Sequence, residues 1–179
     1  MFSMDIKKIL RHKDPVFSVK YGSNELLNTI LSGSHDKSVR LWDIRSGQQI
    51  QVFSGHKDTV YAVEYSPFVV NNIEVGGCSN VICSASEDNT IRFWDSRSNK
   101  NELYIIKEND EENGIFCLKF IQLKNNKKNN NNCCSGVNLC YGLNSGLIHV
   151  WGYKLTKIKV IDLSKVEINH KHIYIKNIF

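Results

Sequence analysis

Two stretches of the chain, LSGSHDKSVRLWD (Leu31–Asp43) and CSASEDNTIRFWD (Cys83–Asp95), decide the fold. They align without a gap, and CYGLNSGLIHVWG (Cys140–Gly152) aligns with both of them more weakly. Each stretch has two short runs with apolar residues on either side of a tight polar turn, a pattern that predicts a β-hairpin. The recurrence of this pattern predicts three structural repeats of the same construction.

A further strand is predicted ahead of each hairpin. HKDTVYAVEYSP (His56–Pro67) precedes the second hairpin, HKDPVFSVKY (His12–Tyr21) precedes the first, and Ile115–Phe120 is a weaker version ahead of the third. Apolar residues on both faces of Val60–Tyr65 indicate a strand that is buried between two layers. Pro67 ends this strand, because proline cannot donate to the hydrogen-bond ladder of a sheet.

The composition is that of an ordinary globular protein and disfavours an all-helical one. Of 179 residues, 41% are hydrophobic and 23% charged, and there are only two alanines, Ala62 and Ala85, against 19 isoleucines. The longest apolar run, Ile115–Leu118, is far shorter than the ~20 residues that span a membrane. Because Asp5 and Lys7 interrupt the N-terminal segment, we expect no secretion signal, an intracellular location (cytoplasmic or nuclear) and reduced cysteines.

The net charge of +5 lies in the second part of the chain. Residues 1–97 contain 11 basic and 11 acidic residues, whereas residues 98–179 contain 12 basic and 7 acidic ones. Most of these lysines are scattered, so they form no dense basic stripe, and a nucleic-acid partner is not expected. The Asn/Lys-rich insert at 124–132 has no apolar residue to bury and predicts a disordered loop.

The three repeats resemble those of the WD-repeat family, whose fold is a β-propeller of four-stranded blades. The resemblance covers almost the whole chain and implies an all-β protein whose function is protein–protein interaction. The residues that carry it are a Gly-His pair, two Trp-Asp pairs and an aspartate six positions before each tryptophan: Gly55, His56, Trp42, Asp43, Trp94, Asp95, Asp36 and Asp88.

The resemblance implies a partial propeller of about three and a half blades over residues 1–179, an open arc rather than a closed ring. The blades are expected at about 11–53, 54–106 and 113–162, with the start of a fourth at about 169–179. A seven-bladed ring needs roughly 300 residues, so the missing blades would come from the rest of a longer chain or from another chain. A marginal open arc is the remaining possibility, and a fragment is favoured because the sequence stops inside a blade.

The family's blades are held by a hydrogen-bonded tetrad of His, Ser or Thr, Asp and Trp, which carries over to two of the three repeats. Both serines of each repeat fall on the same strand face, so the sequence leaves the choice between them open. The third repeat has Ser145 in place of the aspartate and lacks the histidine, so we expect no tetrad there and the loosest blade. The expected sets are His12, Ser32 or Ser34, Asp36 and Trp42 in the first repeat, and His56, Ser84 or Ser86, Asp88 and Trp94 in the second.

The sequence shows no catalytic set, and we expect neither an enzyme nor a cofactor. It contains no nucleotide-binding glycine-rich loop and no nucleophile elbow. The six cysteines include no C-x-x-C pair, so a metal site of the usual zinc spacing is not expected. The tetrad and the turns account for the recurring Ser, His and Asp residues better than a hydrolase on a propeller scaffold does.

Two Trp-Asp-x-Arg motifs, Trp42–Arg45 and Trp94–Arg97, suggest a more specific partner. They are similar to the signature of WD-repeat substrate receptors of cullin-4 ubiquitin ligases, in which the arginine contacts the adaptor protein of the ligase. This resemblance implies that Arg45 and Arg97 bind a partner. Two alternatives stay open: each arginine pairs only with a local acid, or the chain is an RNA-associated WD-repeat protein of a ribonucleoprotein complex.

Overall fold

The structure of the protein is a computed structural model, and it is nearly all-β. It describes residues 9–22, 28–66, 81–98, 102–122 and 137–152, together with the backbone of two short strands at 166–169 and 172–175. The insert predicted at 124–132 and most of the segment expected to begin a fourth blade lie outside these residues.

The first blade is a four-stranded antiparallel sheet in which consecutive strands are neighbours. The two central strands, β2 and β3, form the hairpin predicted from the repeat, and Leu31 pairs with Leu41 in its register. The first strand, β1, contains a bulge near Ser18. The strands of this blade are β1 (Val16–Tyr21), β2 (Thr29–Ser34), β3 (Ser38–Asp43) and β4 (Gln48–Ser54).

The second blade repeats this arrangement, with the strand order β5-β6-β7-β8. Cys83 pairs with Phe93, as Leu31 pairs with Leu41 in the first blade, and the bulge recurs near Tyr61. The repeated sequences therefore fold into repeated sheets in the same register. The strands are β5 (Val60–Tyr65), β6 (Val81–Ser86), β7 (Thr90–Asp95) and β8 (Tyr104–Lys107).

The third blade is described as three antiparallel strands in the order β11-β10-β9. The fourth strand expected in this blade would lie in residues that the structure does not describe. A 3₁₀ turn at Asp110–Glu112 leads into the blade, and a separate hairpin follows it. The strands are β9 (Ile115–Gln122), β10 (Val137–Leu143), β11 (Ile148–Gly152), β12 (Val166–Asn169) and β13 (His172–Ile175).

The blades stack face to face, and an apolar core lies in each of the two interfaces. Between the first and second blades, Leu31 and Leu41 pack with Val60, Val63 and other residues of the second blade. Between the second and third blades, Cys83 and Phe93 pack with residues of β9 and β10. The second blade is therefore covered on both faces, which explains why β5 has apolar residues on both sides, as the sequence indicated.

Close packing at the first interface depends on a glycine. A Cβ atom added to Gly33 would lie 2.7 Å from Val60 Cγ1 and 3.3 Å from the Val60 carbonyl oxygen. The absence of a side chain at residue 33 lets β2 approach β5, so the two blades make direct contact.

The outer faces of the first and third blades stay open. On the first blade Val19 and Tyr21 are 57% and 60% exposed, and on the third Ile148 and Val150 are 76% and 63% exposed. Their counterparts in the second blade are buried or half-buried. The described blades therefore form an open arc, which agrees with the partial propeller expected from the sequence.

Candidate functional site

Four side chains, joined in series by hydrogen bonds, extend through the second blade from its core to one end. The Trp94 indole N–H donates to Ser84 Oγ at 2.9 Å, and Ser84 Oγ lies 2.7 Å from His56 Nε2. His56 Nδ1 lies 3.1 Å from Asp88 Oδ2. Because Trp94, Ser84 and His56 are all buried, these bonds satisfy polar groups that are shielded from water.

The first blade has the same series of hydrogen-bonded side chains at equivalent positions. Trp42 donates to Ser32 Oγ at 2.8 Å, Ser32 Oγ lies 2.6 Å from His12 Nε2, and His12 Nδ1 lies 3.0 Å from Asp36 Oδ2. The structure thus brings together the residues that the sequence assigned to each tetrad, and it selects Ser32 and Ser84 from the two pairs of serines.

The other two serines have a different structural role. Ser86 Oγ donates to the Asp58 carbonyl at 3.1 Å and accepts the Asp88 backbone N–H at 3.1 Å. Ser34 Oγ likewise lies 2.9 Å from the Pro15 carbonyl and accepts the Asp36 backbone N–H. These serines join the hairpin turn to the loop that precedes the blade, and among the described residues no hydrogen bond links them to the tetrad histidine.

The hydrogen bonds assign a protonation state to both histidines. Serine already accepts a hydrogen bond from tryptophan, so its hydroxyl is free to donate to an unprotonated Nε2, while Nδ1–H donates to the aspartate. Burial lowers the pKa of both His12 and His56 from the ordinary value of 6.5, and it outweighs the opposing effect of Asp36 and Asp88. Both imidazoles are therefore neutral at pH 7, with the proton on Nδ1.

The two aspartates are held as carboxylates. Burial alone would raise the pKa of Asp36, but hydrogen bonds from the Ser38 hydroxyl, the Lys13 backbone N–H and His12 outweigh it and hold the pKa well below its ordinary value. The pKa of Asp88 is lowered in the same way, with His56 and Thr90 as the main hydrogen-bond partners.

Sequence reasoning missed the residues that support each aspartate from the third strand. Ser38 Oγ and Thr90 Oγ1 each donate to the neighbouring aspartate at 2.5 Å, and Arg40 Nη2 lies 2.9 Å from Asp36 Oδ2. The signal was available, because Ser38 and Thr90 align with each other, as do Arg40 and Arg92.

The third blade has a different polar cluster around its tryptophan. The Trp151 indole N–H donates to Tyr141 Oη at 2.6 Å, and the Tyr141 hydroxyl in turn donates to the Glu108 carboxylate. His149 Nδ1 lies 3.3 Å from the same tyrosine oxygen. Burial and the Glu108 carboxylate raise the pKa of Tyr141, so the phenol stays protonated and keeps its donor role.

Alignment of the repeats explains this replacement. Tyr141 stands where Ser32 and Ser84 stand in the other blades, and it takes over as the acceptor for the tryptophan N–H. Because its ring is longer than a serine side chain, its hydroxyl reaches Glu108 in the preceding loop without an intervening histidine. The described residues of the third blade include no Ser–His–Asp set, but its tryptophan is hydrogen-bonded nevertheless.

Arg45 and Arg97 lie at equivalent places, in the turns after β3 and β7. In each turn the preceding aspartate accepts the arginine backbone N–H, at 2.8 Å for Asp43 and 2.9 Å for Asp95. The side chains differ. The guanidinium of Arg97 contacts the carboxylate of Asp95, with Nε at 3.2 Å and Nη2 at 3.3 Å. The Arg45 side chain is exposed, and it makes no hydrogen bond or ion pair within the described ranges.

The described residues hold no cluster of three or more His, Cys, Asp or Glu side chains that could bind a metal ion. Burial raises the pKa of the Cys83 thiol well above its ordinary value, so this cysteine acts as a small apolar core residue. No helix in the described part of the chain is long and apolar enough to cross a membrane.

Comparison with known proteins places the first two blades in a family. The sequence profile of the WD domain, G-beta repeat (WD40) matches residues 4–43 and 47–95. Each matched segment runs from the region before the tetrad histidine to the Trp-Asp pair that ends the third strand of its blade.

Several curated proteins share parts of this sequence. A poly(A)+ RNA export protein of Schizosaccharomyces pombe is 34% identical over 91 residues, which is 51% of this chain and 23% of that protein. Transcription initiation factor TFIID subunit 5 of Caenorhabditis elegans is 37% identical over 68 residues, 38% of this chain and 9% of its own length. The Denticleless protein homolog of Gallus gallus is 28% identical over 91 residues, 51% of this chain and 11% of that protein.

The chain thus spans less than a quarter of the length of each of these relatives. The matched repeats, the stacked antiparallel sheets and the two tetrads agree with one another. With its WD40 repeats arranged as consecutive blades of a partial β-propeller, the chain belongs to the WD-repeat family.

Proposed function

We propose that the chain is a non-catalytic protein-interaction scaffold that serves as a substrate receptor of a cullin-4 ubiquitin ligase. In this proposal Arg45 and Arg97 contact the adaptor protein of the ligase. The observation that carries it is a shared hydrogen bond, since in both Trp-Asp-x-Arg motifs the aspartate accepts the arginine backbone N–H at the same end of adjacent blades. Two equivalent arginines one blade apart give a partner two anchoring points.

The local contacts of the two arginines support such a role. Arg45 has its guanidinium in solvent, and the ion pair of Arg97 with Asp95 is exposed enough to be worth at most about 1 kcal/mol. A partner carboxylate can therefore join Asp95 at the exposed part of the guanidinium. The planar guanidinium suits such a contact because it donates two parallel hydrogen bonds.

A pull-down with the purified adaptor subunit tests the proposal. The full chain and an Arg11→Ala control, which changes an exposed arginine at the other end of the blade, are expected to recover the adaptor. The double variant Arg45→Ala/Arg97→Ala is expected to lose it. Equal recovery by all three proteins, or no recovery by any of them, would contradict the proposal.

A second candidate is an RNA-associated WD-repeat protein. The similarity to a poly(A)+ RNA export protein and the excess of basic residues after residue 97 favour it. RNA binding that weakens steeply with added salt would support this candidate, and the absence of binding at low salt would reject it. For both candidates we propose an intracellular location, in keeping with relatives named for RNA export and transcription initiation.

A further inference from the structure

Three aromatic rings form a continuous row across the first strands of the three blades. Phe17, Tyr61 and Phe116 are each the second residue of their strand, in β1, β5 and β9. The ring centroids of Phe17 and Tyr61 are 5.2 Å apart in an edge-to-face contact, and those of Tyr61 and Phe116 are 4.3 Å apart and stacked. Phe17 is 52% exposed and Phe116 40% exposed, so the row presents aromatic surface to solvent.

The row lies at the opposite end of the strands from Arg45 and Arg97. At the row's end, the hairpin turns bond to the loops that precede the blades. The Glu87 N–H donates to the Thr59 carbonyl at 2.9 Å, and the Asn144 N–H donates to the Gly114 carbonyl at 3.0 Å. We call this end, with its preceding loops and hairpin turns, the aromatic end. Its segments are residues 11–15, 35–37, 54–59, 87–89, 108–114 and 144–147.

The charge of the aromatic end is opposite to that of the whole chain. Its segments contain four basic and nine acidic residues. Asp36 and Asp88 are buried in the tetrads, but the other seven acidic residues still outnumber the four basic ones, whereas the chain as a whole carries +5. The excess of acidic over basic residues is greatest beside the second and third blades. The acidic residues are Asp14, Asp36, Asp58, Glu87, Asp88, Glu108, Asp110, Glu111 and Glu112, and the basic ones are Arg11, Lys13, Lys37 and Lys57.

One of these carboxylates lies in direct contact with the aromatic row. The Tyr61 hydroxyl donates to Glu87 Oε2 at 3.0 Å. Gly114, at φ +110°, separates Glu87 from Phe116, because a Cβ atom there would lie 3.1 Å from Glu87 Cα and 3.3 Å from Phe116 Cε2. The glycine thus lets the acidic turn and the phenylalanine ring approach each other, so that a carboxylate and exposed ring faces adjoin.

We propose that the aromatic row and the carboxylates around it bind a basic, extended peptide segment of another protein. Lysine or arginine side chains of that segment lie over the faces of Phe17 and Phe116 and meet the carboxylates beside the row. A cation over an aromatic face and opposite charges across an interface both favour such a partner. The excess of acidic over basic residues disfavours a polyanion at this end, which separates the proposal from RNA binding.

A peptide array tests the proposal with the full chain. The array holds equal sets of ten-residue peptides with the same apolar residues and with either basic, neutral or acidic polar positions. Bound peptides are expected to be concentrated in the basic set, and a labelled peptide from that set should lose affinity as salt is raised. An even distribution over the three sets, or binding confined to the acidic or neutral set, would overturn the proposal.

Variants of the chain locate the binding surface. Phe116→Ala and the isosteric Glu87→Gln should each weaken binding of the labelled peptide about tenfold or more. Tyr21→Ala, which removes an exposed ring at the other end of β1, and Asp43→Asn, which removes a distant carboxylate, are the matched controls and should bind normally. If the controls weaken binding as much as Phe116→Ala and Glu87→Gln do, the site is not the aromatic row.

The result does not depend on the proposed adaptor contact. Arg45→Ala/Arg97→Ala should bind the basic peptide as the unaltered chain does, since both arginines lie at the far end of the blades. Loss of peptide binding in this double variant would contradict the placement of the site at the aromatic end. Failure of the adaptor pull-down would leave the peptide result unaffected.

Discussion

Trp94 donates its indole N–H to Ser84 Oγ at 2.9 Å, across the hairpin of the second blade. The same hydroxyl lies 2.7 Å from His56 Nε2, so one serine joins the strand hairpin to the loop that precedes the blade. Trp42 and Ser32 repeat the relationship in the first blade at 2.8 Å. In each of the two blades this bond connects the third strand to the second strand and, through the histidine, to the loop that precedes the blade.

Ser84→Ala should destabilise the protein strongly, although it removes only one hydroxyl group. The change leaves the buried Trp94 N–H and His56 Nε2 without their shared partner, and we expect the free energy of unfolding to fall by about 2 kcal/mol. Urea denaturation followed by tryptophan fluorescence measures the loss. Ser54→Ala, at the exposed end of β4, is the control and should change the stability by less than about 0.5 kcal/mol. Equal effects of the two substitutions would contradict the role of Ser84.

Stability should fall as the solution is acidified below about pH 6.5. The folded-state pKa of His12 and His56 is lower than the ordinary 6.5, so between the two values the unfolded chain binds protons that the folded chain does not. Each histidine then contributes a slope of up to about 1.4 kcal/mol per pH unit. The carboxylates of Asp36 and Asp88 add a further loss below their ordinary pKa of 3.8.

Urea denaturation at about pH 7.5, 6.5 and 5.5 measures this dependence. His56→Gln removes one of the two titrating groups and should therefore show a shallower decline of the free energy of unfolding between pH 6.5 and 5.5. A stability that stays constant or rises as the pH falls over this interval would contradict neutral, buried histidines.

Tyr141→Phe should loosen the third blade selectively. The substitution removes the hydroxyl that joins the Trp151 N–H to the Glu108 carboxylate and keeps the packing of the ring. Because Trp151 and Glu108 are only partly buried, we expect a loss of about 1 kcal/mol. Hydrogen exchange should accelerate at the amides of β10 and β11 and stay unchanged in β2 and β3. Uniform acceleration throughout the chain would contradict a local role.

Arg45→Ala and Asp43→Ala should have different effects on stability. The Arg45 side chain is exposed, so its loss should change the free energy of unfolding by less than about 0.5 kcal/mol. Asp43 accepts the backbone N–H groups of Arg45 and Ser46, at 2.8 and 3.3 Å, so its loss should cost about 1 kcal/mol. Thermal unfolding compares the two variants. A large loss in Arg45→Ala would indicate a structural role for this arginine.

The repeated residues predicted the blades, but they did not determine every bond within the tetrads. Ser84 and Ser86 are two positions apart and lie on the same strand face, so alternation could not separate them. The hydrogen bonds of the structure do so, because Ser84 Oγ accepts the Trp94 indole N–H, whereas Ser86 Oγ donates to the Asp58 carbonyl of the preceding loop. The sequence therefore specified the histidine, aspartate and tryptophan of each tetrad and left a choice between two serines.

The polar cluster of the third blade shows what a single sequence leaves open. Tyr141 could have been found by alignment with Ser84, because each is the second residue of its aligned repeat stretch. Glu108 could not, since it comes from a loop with no fixed spacing to the strand and reaches Tyr141 only through the path of the chain around the 3₁₀ turn. The contact between Phe17 and Tyr61 likewise depends on the stacking of two blades.

The protonation state of the two tetrad histidines tests the account most directly, because it reports both hydrogen bonds of each imidazole, to serine and to aspartate, without a substitution. Nitrogen-15 NMR of the imidazole rings at about pH 7 distinguishes the tautomers. The structure predicts that His12 and His56 are both neutral, with the proton on Nδ1 and none on Nε2, since Asp36 and Asp88 accept and Ser32 and Ser84 donate. A proton on Nε2 of either ring, or a charged ring at this pH, would contradict the tetrads.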